Sequence, residues 1–423
     1  MTSAWGEVVT RRTRLKDREA AVRIIEILRG RGFEAYLAGG CVRDELLGEK
    51  PKDYDVATSA HPEDIGSMFE RTASVGASFG VMLVRDFGAT IEVATFRADG
   101  PYGDSRRPDH VEFSTADQDA QRRDFTINAL FLDPFGEDGE EVIDYVDGLK
   151  DLDAMVLRAV GDPEDRLAED HLRALRGVRF ASRYGLTMEE GTRDAIFEHA
   201  AELEGVSVER IGDEVKRMMG HGKSRHRAAT LMHELELDHA IFGEAVGAHA
   251  LPVLKRLGAR AHAMTGVAAW ALDRLGDGVL DEASAYATGW RGALDMSNDE
   301  STHFAKVLGF VGRVVREWDT MSVAQRKRVA SSAHEGEGRK LLRAYSAKDT
   351  KRYIADVEAL SGDGIGVAPE AWIGGDELIS MGLTPGPSFK RVIDEVYDAQ
   401  LEGRVSSMEE ACNLARELFV NPA

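Results

Sequence analysis

Asp53 and Asp55 are the residues in this chain best suited to chemistry. They stand two apart in the run Lys52-Asp53-Tyr54-Asp55-Val56. On an extended backbone that spacing turns both carboxylates to one face and Tyr54 to the other. Two carboxylates held so close repel each other unless a cation lies between them, and hard oxygen ligands of this kind suit Mg²⁺. Upstream, an apolar run from Tyr36 breaks at Gly39-Gly40 and continues as Cys41–Leu47. Paired glycines opening a helix offer backbone N–H groups to a phosphate. Arg43, three residues after Gly40, can fork onto phosphate oxygens. Each feature alone is common, an Asp-x-Asp as a solvated strand end and a Gly-Gly as a turn. Together they describe a metal–nucleotide site. Neither G-x-G-x-x-G nor G-K-[ST] follows the glycines, so this is neither a dinucleotide-binding turn nor a Walker loop.

Further candidates lie downstream. Val81–Arg85 and Thr90–Phe96 are β-rich runs joined by Asp86-Phe87-Gly88-Ala89, which predicts a hairpin. In the second run Ile91, Val93 and Thr95 share one face, and Glu92, Ala94 and Phe96 the other. Glu92 is either an exposed charge on an edge strand or a third carboxylate facing Asp53 and Asp55, as two-metal phosphoryl transfer requires. The stretch Arg97–Gln121 is rich in Gly, Pro, Asp and Ser and long for a connection, which predicts a moving loop beside the site. In Arg122–Leu130, Arg123 and Asp124 can contact a triphosphate and a ribose hydroxyl, although an isolated Arg-Asp pair is usually a surface ion pair.

The elements that position these residues follow from periodicity. Asp17–Gly30 is a helix with Ala21, Ile24, Ile25 and Leu28 inward. FEAYLAGG is a strand entering the glycine turn, His61–Phe69 a helix and Val142–Asp147 a short strand. From Pro163 the pattern becomes helical. Within Ala168–Gly185, Asp170, Arg173, Arg176 and Arg179 trace a slanting stripe, with Leu175, Val178 and Ala181 opposite as core. Read alone, that stripe is a solvated face with i,i+3 ion pairs. Val208–Met219 is a further helix, and Gly362–Val367 reads as a linker.

The motif GG-x-V-R-D-x-L-L-G followed by P-x-D-x-D-x-A-T resembles the first signature of the class II CCA-adding tRNA nucleotidyltransferases and bacterial poly(A) polymerases. RRDFTINAL is similar to the second signature, Glu169-Asp170-x-x-Arg173 to the base-reading motif, and Val208–Met219 to the fifth. The ordered matches cover roughly residues 30–220. The resemblance implies an α+β fold, with a small N-terminal nucleotidyltransferase (polymerase-beta-like) mixed sheet followed by a mostly helical neck, body and tail. It implies a head over 1–160, a neck over 161–235, a body over 236–362 and a tail over 363–423. Asp53, Asp55 and Glu92 would be catalytic, the two aspartates holding Mg²⁺. Gly39, Gly40, Arg43, Arg123, Asp124, Asn128, Glu169, Asp170, Arg173, Arg176 and Arg179 would bind the nucleotide. His171 departs from the Pro or other apolar residue expected after Asp170, and so touches the discriminating motif.

The activity implied is template-independent addition of CCA to the 3′ end of tRNA, with CTP and ATP as substrates. A-adding, CC-adding and poly(A)-synthesising members share these motifs. In CC-adding relatives the loop corresponding to 97–121 is shortened. The rivals of other classes are a non-catalytic RNA-binding protein and a small-molecule nucleotidyltransferase. The 423 residues predict two to four domains, and 43% hydrophobic with 30% charged residues is a globular profile. A net charge of −21 argues against indiscriminate nucleic-acid binding but allows a local basic track, for which Gly220–Arg227 and Arg326–Arg352 are the candidates. Cys41 and Cys412 lack metal-ligand spacing, which fits a reducing cytoplasm. The polar N-terminus lacks a secretory core, and no run of ~18 apolar residues is present to span a membrane.

Overall fold

The computed structural model describes residues 16–74, 80–99, 111–243 and 250–420. The first residues of the chain and positions 100–110 of the expected moving loop lie outside them. The described residues fall into two compact units, one running to Ile211 and including Leu231–Gly243, the other comprising Gly212–Thr230 and everything from Glu244 onward. The architecture is α+β, with the sheet in the first unit and helices throughout the second.

Of the first unit's eleven strands among the described residues, nine concern the site: β1 (Ala35–Ala38), β2 (Asp55–Thr58), β3 (Thr72–Ser74), β4 (Val81–Val84), β5 (Ile91–Thr95), β6 (Arg97–Asp99), β7 (Val111–Phe113), β8 (Phe131–Gly136) and β9 (Gly139–Ile143). Seven form one sheet in the order β3-β4-β5-β2-β1-β8-β9. β2 and β5 run parallel, with Asp55 opposite Glu92, and the remaining neighbours are antiparallel. The hairpin expected from the sequence is β4–β5, with Phe87 and Gly88 both at positive φ in its turn. β5 is an interior strand, so the edge-strand reading of Glu92 does not hold. The described ends of the 97–121 stretch are ordered: β6 pairs with β7, and the helix Ala116–Gln121 follows.

The helices of this unit that concern the site are α1 (Asp17–Arg29), α2 (Gly40–Leu46), α3 (Pro62–Met68), α4 (Ala116–Gln121), α5 (Gly148–Asp153), α6 (Pro163–Glu169) and α7 (Leu172–Tyr184). α1 buries Ala21, Ile24, Ile25 and Leu28, the stripe its periodicity predicts, in a core shared with Val56, Ile91, Val93 and Phe180. On α7, Leu175, Val178 and Ala181 are fully buried.

Local side chains decide three departures from the sequence reading. Ala168–Gly185 is two helices, because Asp170 takes an extended conformation (φ −156°, ψ 101°) and its Oδ1 accepts from the Leu172 amide at 3.1 Å, the work of a helix-starting cap. The strand expected over Val142–Asp147 ends at Ile143, because the Asp144 carboxylate gathers the amides of Val146, Gly148 and Leu149 into a turn. Asp53 precedes β2 and does not lie on it.

In the second unit, Trp270, Trp290 and Phe304 pack ring on ring, and Ser297 with Glu300 forms a capping box at the head of Asn298–Gly312. A separate cluster of Leu378, Val392, Val396 and Ala411 holds the C-terminal helices. Several cations of the expected basic track are structural. Arg225 is buried and donates to the carbonyls of Ala259 and Ala261. Lys327 is buried 2.6 Å from Asp363, and Arg328 pairs with Asp394 and Asp398.

Candidate active site

The parallel pairing of β2 with β5 sets Asp55 beside Glu92, so two carboxylates 37 positions apart in sequence emerge as neighbours on one sheet. Asp53, exposed on the segment entering β2, adds its negative charge to both. The Asp55 carboxyl is pushed up to about 7, first by burial, then by Glu92 and Asp53, with Arg123 opposing. Glu92 is displaced in the same direction, by desolvation and then by Asp53. Like charges this close favour the protonated form unless a cation neutralises them. Two neighbouring carboxylates, Asp55 and Glu92, with the charge of Asp53 nearby, offer hard oxygen donors whose chemistry fits a divalent cation.

Asp55 and Glu92 open onto a cavity of about 500 Å³. Its lining includes Gly39, Gly40, Arg43, Asp55, Glu92, Arg123, Asp124, Asn128, Asp170, Arg173 and Arg176. Asp53, Glu169 and Arg179 lie outside that lining. Gly39 ends β1 at φ 72°, and a Cβ there would fall 2.8 Å from Nη1 of Arg123, so glycine alone suits both the backbone and the neighbour. Arg43 is buried. Its guanidinium donates to Asp44 (2.9 and 2.6 Å), to the Tyr184 hydroxyl (2.7 Å) and to the Asn128 side chain. It is thus held rigidly beside Gly40, whereas the sequence alone suggested a freely forking phosphate ligand.

The opposite wall consists of paired charges. Asp124 is almost wholly buried, accepts from Arg176 Nε at 2.7 Å and from the Asn128 amide at 3.0 Å. Burial acts to raise its carboxyl, but Arg176 and the Asn128 hydrogen bond prevail and hold it down at about 2. It is therefore not the surface ion pair that an isolated Arg-Asp suggests. Arg173 donates to the carbonyl of Arg166 (2.6 Å) and to Glu169 (2.5 Å), and more weakly to the carbonyl of Arg122 (3.4 Å). Asp170 accepts from Arg210 at 2.7 Å. Arg179 stacks on the Phe180 ring, 4.2 Å from its centroid.

The sequence reading overlooked several members of this wall. Asp119, 2% exposed, takes Arg122 (2.6 Å) and Arg123 (2.9 Å) and orients both. Its i,i+3 and i,i+4 spacing to those arginines was the available signal. Arg97, Arg122 and Phe180 also line the cavity. Asp44, the sequence neighbour of Arg43, helps to fix it, whereas Tyr184 comes from a distant part of the chain and left no local trace.

A mixed sheet that presents acids from adjacent strands beside a glycine turn, with a nucleotide-sized cavity between them and a basic helix, defines a polymerase-beta-like nucleotidyltransferase head. Residues 35–158 match the poly A polymerase head domain, and residues 185–246 the probable RNA and SrmB-binding site of polymerase A. The CCA-adding enzyme of Lactiplantibacillus plantarum is 46% identical over 202 residues, 48% of this chain and 49% of that protein. Matches of this kind span about half the length of the relatives concerned. The CCA-adding enzyme of Limosilactobacillus fermentum is 32% identical over 394 residues, 92% of this chain and 94% of its own. The crystal structure of the Bacillus stearothermophilus CCA-adding enzyme in complex with CTP superposes with a TM-score of 0.75 at 26% identity, covering 96% of this chain and 99% of that one. The chain belongs to the CCA-adding enzyme family.

Proposed function

We propose that this protein is a template-independent RNA 3′-terminal nucleotidyltransferase that completes tRNA with CCA, using CTP and ATP and releasing pyrophosphate. The observation that carries the reading is a cavity lined by Asp55 and Glu92, with the charge of Asp53 acting on both, together with Asp124, Asp170, Arg173 and Arg176. The names of the relatives and the CTP complex of the Bacillus protein support it.

In this reading Asp53 and Asp55, with Glu92 assisting, hold Mg²⁺. When bound, the metal supplies acidification of the RNA 3′-hydroxyl and charge neutralisation at the departing pyrophosphate. The chain's own groups do the rest. Gly39 and Gly40 leave the cavity floor open to the triphosphate, and Arg43, fixed by Asp44, Asn128 and Tyr184, presents positive charge beside it. Arg123 and Asp124 bind phosphate and ribose. The 3′-oxygen gives up its proton to water and attacks the α-phosphorus, and the bond from that phosphorus to the bridging oxygen breaks, so that pyrophosphate leaves. Asp170 accepts from the exocyclic amine that cytosine and adenine share, Arg173 donates to the ring acceptor beside it, and Glu169 and Arg210 hold the two in place. Arg176 and Arg179 flank the base. No helix among the described residues is long and apolar enough to cross a membrane, and the proposed compartment is the cytoplasm, where tRNA is the partner.

The test is incubation with Mg²⁺ and tRNA transcripts ending at the discriminator base, at C and at CC, each with CTP, ATP or both. Extension by CCA, CA and A respectively is the expected result. Extension of the CC-ended transcript alone assigns the chain to an A-adding role, extension of the other two only as far as CC to a CC-adding role, an unbounded A tail to poly(A) synthesis, and no incorporation with RNA binding intact to a non-catalytic role.

A further inference from the structure

A second cluster of donor atoms in the first unit is left unused by the proposed nucleotidyl transfer. We propose that His171, His199 and Glu202 form a metal site distinct from the acidic cluster, selective for a borderline ion such as Zn²⁺. The ligand atoms of these three side chains all lie within 4.8 Å of one another, and no other such group with three or more members occurs among the described residues. His171 Nδ1 and His199 Nδ1 lie 3.0 and 2.6 Å from the same Glu202 oxygen. Donors in a tetrahedral zinc shell with bonds of ~2.1 Å stand ~3.4 Å apart, so each histidine needs to move from Glu202 by less than about 1 Å to admit the ion.

Two further observations favour a ligand over a simple hydrogen-bonded cluster. Nδ1 of His171 is sealed from solvent and lacks a hydrogen-bond partner despite its proximity to Glu202, the state of a donor atom aimed into a site. His199 presents its other nitrogen, Nε2, to Glu164 at 2.9 Å. A carboxylate accepting from the far nitrogen of a histidine is the usual support for a metal-binding imidazole, because it fixes both ring orientation and tautomer. Two imidazoles and one carboxylate suit Zn²⁺ far better than Mg²⁺, which prefers oxygen donors throughout. Three protein ligands leave the fourth position to water.

The placement gives the site a consequence. Glu164 lies on α6, His171 follows Asp170 at the α6–α7 break, and Glu202 belongs to the short turn Ala200–Gly205. A bound ion ties that break to the turn and so stiffens the backbone that carries Asp170.

The test uses the full chain, stripped with chelator, and a Zn²⁺ titration against a chromophoric competitor with metal content measured after gel filtration. In the Asp53→Asn/Asp55→Asn background, where the acidic cluster is disabled, one Zn²⁺ per chain is expected, unaffected by millimolar Mg²⁺. His171→Gln, His199→Gln and Glu202→Gln should each weaken it at least tenfold, and the rise in melting temperature on adding Zn²⁺ should vanish with it. Far-UV circular dichroism checks each variant, and Glu202→Gln, the mildest change and the least buried ligand, serves if a histidine variant does not fold. Zn²⁺ stoichiometry and affinity indifferent to Glu202→Gln, or no Zn²⁺ bound in the Asp53→Asn/Asp55→Asn background, overturns the proposal. Nucleotide incorporation is not a readout, so a failure here leaves the nucleotidyltransferase reading standing.

Discussion

Asp55 and Asp124 line the same cavity and are both withdrawn from water, yet their carboxyls are displaced in opposite directions. Asp55, among Glu92 and Asp53, rises to about 7. Asp124, clasped by Arg176 and Asn128, falls to about 2. Burial acts to raise both, so the difference is made by neighbours. On the sheet side, acids are placed against acids and the strain is left for a cation to relieve. On the helix side every acid that lines the cavity already has an arginine: Asp124 with Arg176, Asp170 with Arg210, and behind them Asp119 with Arg122 and Arg123. In the proposed function the first arrangement serves the reaction, and the second holds in shape the groups that receive the nucleotide. The two should respond differently to the same kind of mutation.

The largest effect is expected on the sheet side. Asp53→Asn/Asp55→Asn should cut incorporation of CMP into a tRNA transcript by at least ~10³-fold, about 4 kcal/mol of barrier, while the melting temperature stays level or rises because repulsion has been removed. A large fall in melting temperature would make the acids structural and erase the contrast.

pH separates the two sides next. In an unfolded chain an Asp titrates near 3.8, and folded Asp55 near 7. Between those values the folded form retains a proton that the unfolded form has lost, so without divalent ions Asp55 makes stability decline as pH rises through that window. Asp124 acts with the opposite sign: its contribution is complete above about 3.8 and is lost as pH falls through about 2. Relative to Asp55→Asn, chelator-treated protein should therefore gain up to a few kcal/mol of stability from pH 7 toward pH 5, and added Mg²⁺ should flatten that difference. Melting curves across pH with and without Mg²⁺ measure this, and an identical slope in Asp55→Asn would assign it elsewhere.

Asp124→Asn should reverse the pattern of the sheet-side variant. It strands Arg176 and weakens the contact to Asn128, costing about 1–3 kcal/mol in denaturant unfolding, with a loss of activity that appears chiefly in KM for the nucleotide. The smallest effect is expected for Arg210→Ala. Its pair with Asp170 is partly solvated, so stability should change by less than about 1 kcal/mol. Discrimination between CTP or ATP and GTP should relax more visibly, because Asp170 is freed to turn.

Much of this was legible in the sequence wherever the determinant was local. The helix at Asp17, the β4–β5 hairpin and the buried face of α7 follow from apolar periodicity, and Asp53, Asp55, Gly39 and Gly40 from motif spacing. Glu92 was visible as a charge within an apolar strand, but its proximity to Asp55 depends on a parallel pairing that no local pattern encodes. The break at Asp170 was hidden because its flanking residues read as one helix, and the capping role belongs to a side chain with another use. Basic runs misled for a related reason: Arg225 and Lys327 look solvated in sequence, but their long stems are drawn inward and their charges are spent on carbonyls and on Asp363. Of the partners of Arg43, Asp44 is its sequence neighbour, but Asn128 and Tyr184 lie 85 and 141 positions away, and only three-dimensional proximity reveals them.

The pairing of β2 with β5 limits how this chain can change. Between Ser59 and Thr90, stretches outside α3, β3 and β4 can grow or shrink without disturbing the ladder that aligns Asp55 with Glu92. One residue inserted between Ile91 and Glu92 would instead swing that glutamate to the opposite side and bring a core side chain into the cleft. Length variation among descendants of this protein should therefore collect outside these two short strands, which tolerate substitution but not insertion.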